Sequence, residues 1–238
     1  MRKSRWCFSV VMAVSLLATT RANALINGQI PAPGEFQEVP SLTTNRPDQC
    51  SGVLVGPRVV LTAASCMRPG GVGTFTVDGR QHQASFTLHP HWPALEIDMA
   101  AGIIDEEIDD VTPATIGGSL TAGAEVTLAG FGCTDGDDPR FDNRLRVGTS
   151  IMNGTHGVYA ITGGVSGALV CYRDNGGPMF VGERDARQLA GILSFGDRKT
   201  KNYVVRLDIP EAVDFLKSFA KDNDDVSICG INDDCQDD

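Results

Sequence analysis

Between Ser51 and Leu207 the chain is a succession of short apolar runs, each closed by Gly, Pro, Asn or Asp. The runs are SGVLVGPRVVLTAAS (51–65), GTFTVDGRQHQASFTL (73–88), AEVTLAGFG (124–132), GALVCY (167–172), LAGILSFG (189–196) and NYVVRL (202–207). Val, Ile, Thr and Phe fill them, and turn signals recur at roughly ten-residue spacing, the pattern of an all-β barrel or sandwich. Asp78-Gly79 between two such runs predicts a tight hairpin. One segment has a different period. In DIPEAVDFLKSFAK (208–221), Ile209, Val213, Leu216 and Ala220 form a single apolar stripe, with Asp208 as the expected cap and Pro210 in the first turn. This predicts one helix docked on a barrel. A turn-rich stretch, 111–124, is the expected boundary between two β halves.

The start of the chain follows neither period. Arg2, Lys3 and Arg5 precede an apolar run, Trp6 to Ala18, and then the small-x-small triplet Ala22-Asn23-Ala24. That is the layout of a signal peptide over 1–24, which places the mature protein outside the cytoplasm, secreted or periplasmic. No later run approaches the roughly 20 apolar residues a membrane helix needs, so no membrane anchor is expected in the mature form. The leader carries four of the 20 Lys+Arg and none of the 30 Asp+Glu. Net charge therefore moves from −10 for the whole chain to about −14 after cleavage. Such a surface argues against nucleic acid or anionic lipid as a partner.

Cys7 leaves with the leader, and Cys50, Cys66, Cys133, Cys171, Cys229 and Cys235 remain. An even set in an exported chain reads as disulfides, with 15 connectivities open to six cysteines. No C-x-x-C pair occurs, and the four histidines stand at no ligand spacing beside cysteines, so no metal site is expected. The tail 222–238 is acidic. Calcium there is a weak reading, because Val226 falls on a position a calcium loop fills with a ligand. No other cofactor is expected.

Four further pieces carry chemistry. They are Leu25-Ile26-Asn27-Gly28, Thr62-Ala63-Ala64-Ser65-Cys66, Asp98-Met99-Ala100-Ala101, and Gly164-Val165-Ser166-Gly167-Ala168, the last followed by Ser194-Phe195-Gly196. In that order they resemble the chymotrypsin/trypsin-like serine proteases. That family reads Ile-Val-Asn/Gly-Gly at its mature N-terminus, T-A-A-H-C around its base, D-I-A-L at its acid, G-D-S-G-G-P at its nucleophile and S-W-G where substrate pairs. The resemblance spans Leu25 to about Phe219 and implies two six-stranded antiparallel β-barrels, a C-terminal helix and an active site between the barrels. It implies bridges Cys50–Cys66 and Cys133–Cys171, with Cys229–Cys235 as the remaining pair. It puts Asp98 at the acid, Ser166 at the nucleophile, Gly164 and Ser166 as oxyanion donors, and Ser194, Phe195, Gly196 and Ala160 along the substrate cleft.

The resemblance breaks where the chemistry is most demanding. The base position is Ser65, and a serine hydroxyl neither accepts a proton near neutral pH nor returns one. The residue before Ser166 is Val165, where the family has an aspartate that pairs with the new N-terminus after activation. The interval from Gly130 to Ser166 is 36 residues, short for the family. Two functions follow as expectations. One is a monomeric, catalytically inactive homologue that binds a protein or peptide in the interbarrel cleft. The other is a serine endopeptidase with residual or substrate-assisted activity through Ser166, in which a histidine of the substrate serves as base. A structural module with a vestigial cleft is a third.

Overall fold

The structure is a computed structural model that describes residues 25–46, 49–77, 79–94, 96–164 and 166–235. The expected leader, 1–24, and Val165 lie outside the described residues. Thirteen strands and one long helix are present among those described. The first seven strands are β1 (Ser41–Thr43), β2 (Gln49–Ser51), β3 (Val53–Gly56), β4 (Val59–Thr62), β5 (Val72–Val77), β6 (Arg80–Leu88) and β7 (Ala100–Ile104). Their order in the sheet is β2-β1-β5-β6-β7-β4-β3. The two end strands are one continuous stretch interrupted only at Gly52, so the sheet returns on itself as a six-membered barrel with one strand bent. Gly52 is required at the bend, since a side chain there would run into Leu42 and the Leu61 carbonyl.

The second half holds β8 (Glu125–Gly130), β9 (Arg146–His156), β10 (Tyr159–Gly163), β11 (Pro178–Val181), β12 (Gln188–Gly196) and β13 (Lys201–Arg206). These close into a barrel in the order β10-β13-β12-β11-β8-β9. The alternation seen in the sequence has its physical cause here: β5 buries every second residue, Gly73, Phe75 and Val77. The 72–88 hairpin forms with Val77 opposite Arg80, and Gly79 in its turn adopts φ +74°.

Each barrel has its own apolar filling, around Leu42, Phe75 and Phe86 in the first and Leu128, Met179 and Leu193 in the second. A third cluster joins them through Val53, Leu61, Met99, Phe180 and Ile192. The helix α1 (Pro210–Asp222) completes this third cluster with Ala212, Phe215, Leu216, Phe219 and Ala220. Two helix expectations are corrected. Val213 is only half-buried, because the buried face is turned toward Phe215 and Phe219. Asp208 does not cap the helix: both its oxygens take Arg206 at 2.8 Å, and Ile209 occupies the cap position. All three expected disulfides form, Cys50–Cys66, Cys133–Cys171 and Cys229–Cys235. Among the described residues, no helix is long and apolar enough to cross a membrane, and no group of three or more His, Cys, Asp or Glu is placed to hold a metal.

Candidate functional site

The site sits where the two barrels meet, and strand register assembles it. β4 and β7 pair antiparallel with Thr62 opposite Ala100. Ser65, three residues past the end of β4, and Asp98, two before the start of β7, therefore leave the same edge of the first barrel. Ser65 lies in a single 3-10 turn, Ala64–Cys66, held by the Cys50–Cys66 bridge. The third member comes from the second barrel. The pairing of β12 with β13 slips between Leu193 and Phe195, which makes Ser194 the extra residue and turns it toward Asp98.

Asp98 is 2% exposed and fully engaged. Ser65 donates its backbone N–H to Oδ1 at 2.6 Å and its hydroxyl to Oδ2 at 2.9 Å, and the Ser194 hydroxyl donates to Oδ2 at 2.6 Å. Burial pushes the Asp98 carboxyl above the usual carboxylate range, while the donors of Ser194 and Ser65 pull the other way. The carboxylate thus holds two serine hydroxyls, neither of which can relay a proton as an imidazole does.

The residue that faces Ser65 across the cleft is Asn175. It lines the same cavity as Ser65, Asp98 and Ser194, and its side-chain amide donates to the Ser194 carbonyl. Its loop is tied to the first barrel: Ser51 N donates to the Asn175 carbonyl and Ser51 Oγ to that of Arg173, both at 2.9 Å. Gly176 follows at φ +87°, where a Cβ would collide with Thr62, the Ser51 carbonyl and Ala63 N. Arg173-Asp174-Asn175-Gly176-Gly177-Pro178 keeps four of the six residues of G-D-S-G-G-P. Asn175 stands at the serine.

Several expectations are corrected by this placement. Ser166 lies in an exposed turn after β10 and lines none of the cavities that hold Ser65 and Asp98. Its neighbour Gly167 is held from the Asn27 side chain, on the N-terminal segment. Gly164 is no free oxyanion donor, because its N–H is directed at the Thr200 carbonyl at 3.3 Å. Ala160 is no pocket floor: it is completely buried in the second barrel, paired with Val204. The shortened interval disappears as well, since Gly130 to Asn175 is 45 residues. Cys171 precedes the nucleophile position rather than following it. The expectation of a lost activation aspartate fails too, because the residue before Asn175 is Asp174. That carboxyl is fully buried and accepts N–H bonds from Gly132 at 2.7 Å and Cys171 at 2.9 Å. Burial pushes it up to about 7, against those two donors and the charge of Arg146. The signal that finds Asn175 in the sequence is Asp-x-Gly-Gly-Pro, not the presence of a serine.

Ser194 and Phe195 border the cleft, whereas Gly196 lines neither opening and packs closely against its neighbours. A Cβ placed on Gly196 would lie 3.2 Å from the Val170 carbonyl and 3.2 Å from Asn202 Oδ1. Asn202 is completely buried and locks that contact, accepting from Val170 N at 2.7 Å and donating to Ala168 O and Thr162 Oγ1, each at 3.0 Å. Two openings remain. One, about 370 Å³, is bounded by Ser65, Asp98, Trp92, Glu96, Tyr159 and Phe195. The other, about 300 Å³, lies on the far side of Ser65 and Asn175 and carries Arg46, Gln49, Phe141, Tyr172 and Arg173. Arg173 covers the Phe141 ring at 3.8 Å.

Comparison with known proteins agrees with this architecture. The trypsin family profile matches residues 25–216. Human granzyme M is 26% identical over 227 residues, 81% of this chain and 88% of that protein. Pig azurocidin is 36% identical over 86 residues, about a third of each chain. Among solved structures, human heparin binding protein superposes with a TM-score of 0.67 at 19% identity, covering 83% of this chain and 97% of that one. Mouse neuropsin, a serine protease, gives 0.67 at 20% identity, covering 82% and 99%. With the two barrels, the bridges and the ordered motifs, this profile match over most of its length makes the chain a member of the trypsin family of chymotrypsin-like serine proteases and their homologues.

Proposed function

We propose that this chain is a non-catalytic member of the family that binds a protein or peptide segment in its interbarrel cleft. The observation that carries the reading is the pairing of Ser65 with Asn175 at the base and nucleophile positions. An amide nitrogen committed to the Ser194 carbonyl is no nucleophile, and a hydroxyl committed to Asp98 is no base. The retained parts are the ones a binding site needs: a rigid two-barrel frame, a bridged rim at Cys50–Cys66, and open cavities on both sides of Asn175. The endopeptidase reading rested on Ser166, and its exposed turn supplies neither acid nor base.

The three disulfides and the leader-like start suit a protein that works outside the cytoplasm. One fold relative is named for binding heparin, a polyanion. A chain of net charge −10 is a poor match for a polyanion, which directs the ligand class here toward protein. The reading is tested on the purified mature chain with a fluorophosphonate probe and a peptide array. No labelling is expected, and Ser65→Trp, which fills the cleft, is expected to abolish array binding. Serine-dependent labelling at a protease-like rate, or array binding indifferent to Ser65→Trp, overturns it.

A further inference from the structure

The opening of about 370 Å³ is lined by Ser65 and Asp98, the residues at the family's base and acid positions. Ser65 is much smaller than a histidine and leaves that space open. The walls have a consistent chemistry. Two carboxylates border it, Asp98 at the back and the exposed Glu96 at the rim. Three aromatic rings complete it, Trp92, Tyr159 and Phe195. No Lys, Arg or His is among the described residues lining it.

Two of the three rings, Tyr159 and Phe195, are held, not loose. Phe195 is 46% exposed, yet it stacks on Tyr203 with centroids 4.5 Å apart and meets Tyr159 edge-on at 5.5 Å. The Tyr159 hydroxyl donates to the Glu96 carbonyl at 2.8 Å, and Glu96 itself sits at φ +57°, a conformation a non-glycine residue adopts only when its surroundings impose it. Burial first, and then the charges of Glu96 and Asp98, push the Tyr159 hydroxyl up to about 12. Aromatic faces and carboxylates around one cavity, with no facing Lys, Arg or His among its described lining residues, are the arrangement that attracts an organic cation. The opposite opening, with Arg46 and Arg173, has the reverse sign and would repel it.

We propose that the space left by the absent imidazole is a cation pocket, which takes the lysine or arginine side chain of a protein ligand over Phe195 and against Glu96 and Asp98. The proposal rests on the binding reading above and names what that cleft selects. Asp98 keeps its bonds to Ser65 and Ser194 and acts on the cation through its charge, while the exposed Glu96 carboxylate makes the direct contact. The opening with Glu96 and Asp98 carries no cation among its described residues and the opposite one carries Arg46 and Arg173, so the basic side chain is received on the Asp98 side of Asn175.

The test titrates the ¹⁵N-labelled mature chain with Nα-acetyl-lysine methylamide, the arginine equivalent and the uncharged norleucine equivalent. The two cations are expected to shift the Trp92 indole and the Ser65 and Phe195 amides, and to bind at least about tenfold more tightly than norleucine. Glu96→Gln and Phe195→Ala are each expected to weaken the cations by about threefold or more, and Ser65→His, which refills the space, to abolish the shifts. Equal binding of norleucine, shifts confined to the acidic tail, or indifference to all three substitutions overturns the proposal. Array peptides that are displaced by Ser65→Trp yet show no preference for Lys or Arg overturn the cation pocket and leave the binding reading standing. Fluorophosphonate labelling overturns the non-catalytic reading and leaves the cation result unaffected.

Discussion

Asp98 is held by backbone N–H groups and two serine hydroxyls, so its buried charge is stabilised by dipoles alone. Removing one donor has a calculable direction. Ser194→Ala should cost about 1–3 kcal/mol, read as a fall in the urea midpoint, because a group bonded at 2.6 Å to a buried carboxylate is lost. The same geometry sets what repair needs. Ser65→His alone is expected to give no fluorophosphonate labelling, since Asn175 cannot attack. Asn175→Ser alone is expected to give none, since Ser65 cannot take the proton. The pair together should label more than about tenfold faster than either single variant, because triad members act as a unit and not as a sum. Labelling of Ser65→His by itself would mean that a serine other than the one installed at 175 is the nucleophile.

Elements deliver these residues through a few points of close approach. The loop carrying Asn175 reaches Ser51 only because Gly176 has no side chain. Gly176→Ala should therefore cost roughly 3 kcal/mol or more, by strain at φ +87° together with collision with backbone. Gly79→Ala provides the contrast: it shares a positive φ of +74° but faces open space, so only the conformational cost, about 1 kcal/mol, should appear. Equal losses at the two sites in chemical denaturation would show that the tie between the Asn175 loop and the first barrel contributes nothing. The bridge next to Ser65 works at the same scale. Its 16-residue separation predicts about 3 kcal/mol lost when Cys50 and Cys66 are both replaced by alanine.

Across the whole molecule, stability should depend on one buried proton. The Asp174 carboxyl lies near 7 in the fold, against 3.8 for an ordinary aspartate. Between those values the folded chain holds a proton that the unfolded chain releases. The contribution of this group is therefore complete below about pH 4 and is lost as pH rises through about 7. The unfolding free energy should decline over that interval by up to a few kcal/mol, read as a falling urea midpoint, and Asp174→Asn should flatten the decline while lowering the midpoint at acidic pH. A wild-type midpoint that rises from pH 5 to 7.5 with an unchanged slope in the variant would show that Asp174 is already ionised in the fold. The acidic surface and the two cavities of opposite character also belong to this scale, since they arise from residues brought in by both barrels.

Local pattern and covalent spacing were enough for much of this molecule. Alternation of apolar side chains specifies strands because the pleat sends successive residues to opposite faces. The 208–221 stripe specifies a helix because 3.6 residues complete a turn. The step from Cys50 to Cys66 and the TAASC turn place Ser65, and the missing imidazole is visible there without coordinates. The nucleophile position was different. Gly164-Val165-Ser166-Gly167 imitates the expected motif because it carries a serine between glycines, although Asp174-Asn175-Gly176-Gly177-Pro178 keeps more of the motif. Only the folded chain separates the two. What defines that position is an approach between distant segments, Asn175 beside Ser194 and Gly176 against Thr62 and Ser51, and no one-dimensional spacing records it. The cation pocket is of the same kind: Trp92, Glu96, Tyr159 and Phe195 come from both barrels, and strand register and the bulge at Ser194 alone decide that they share one wall.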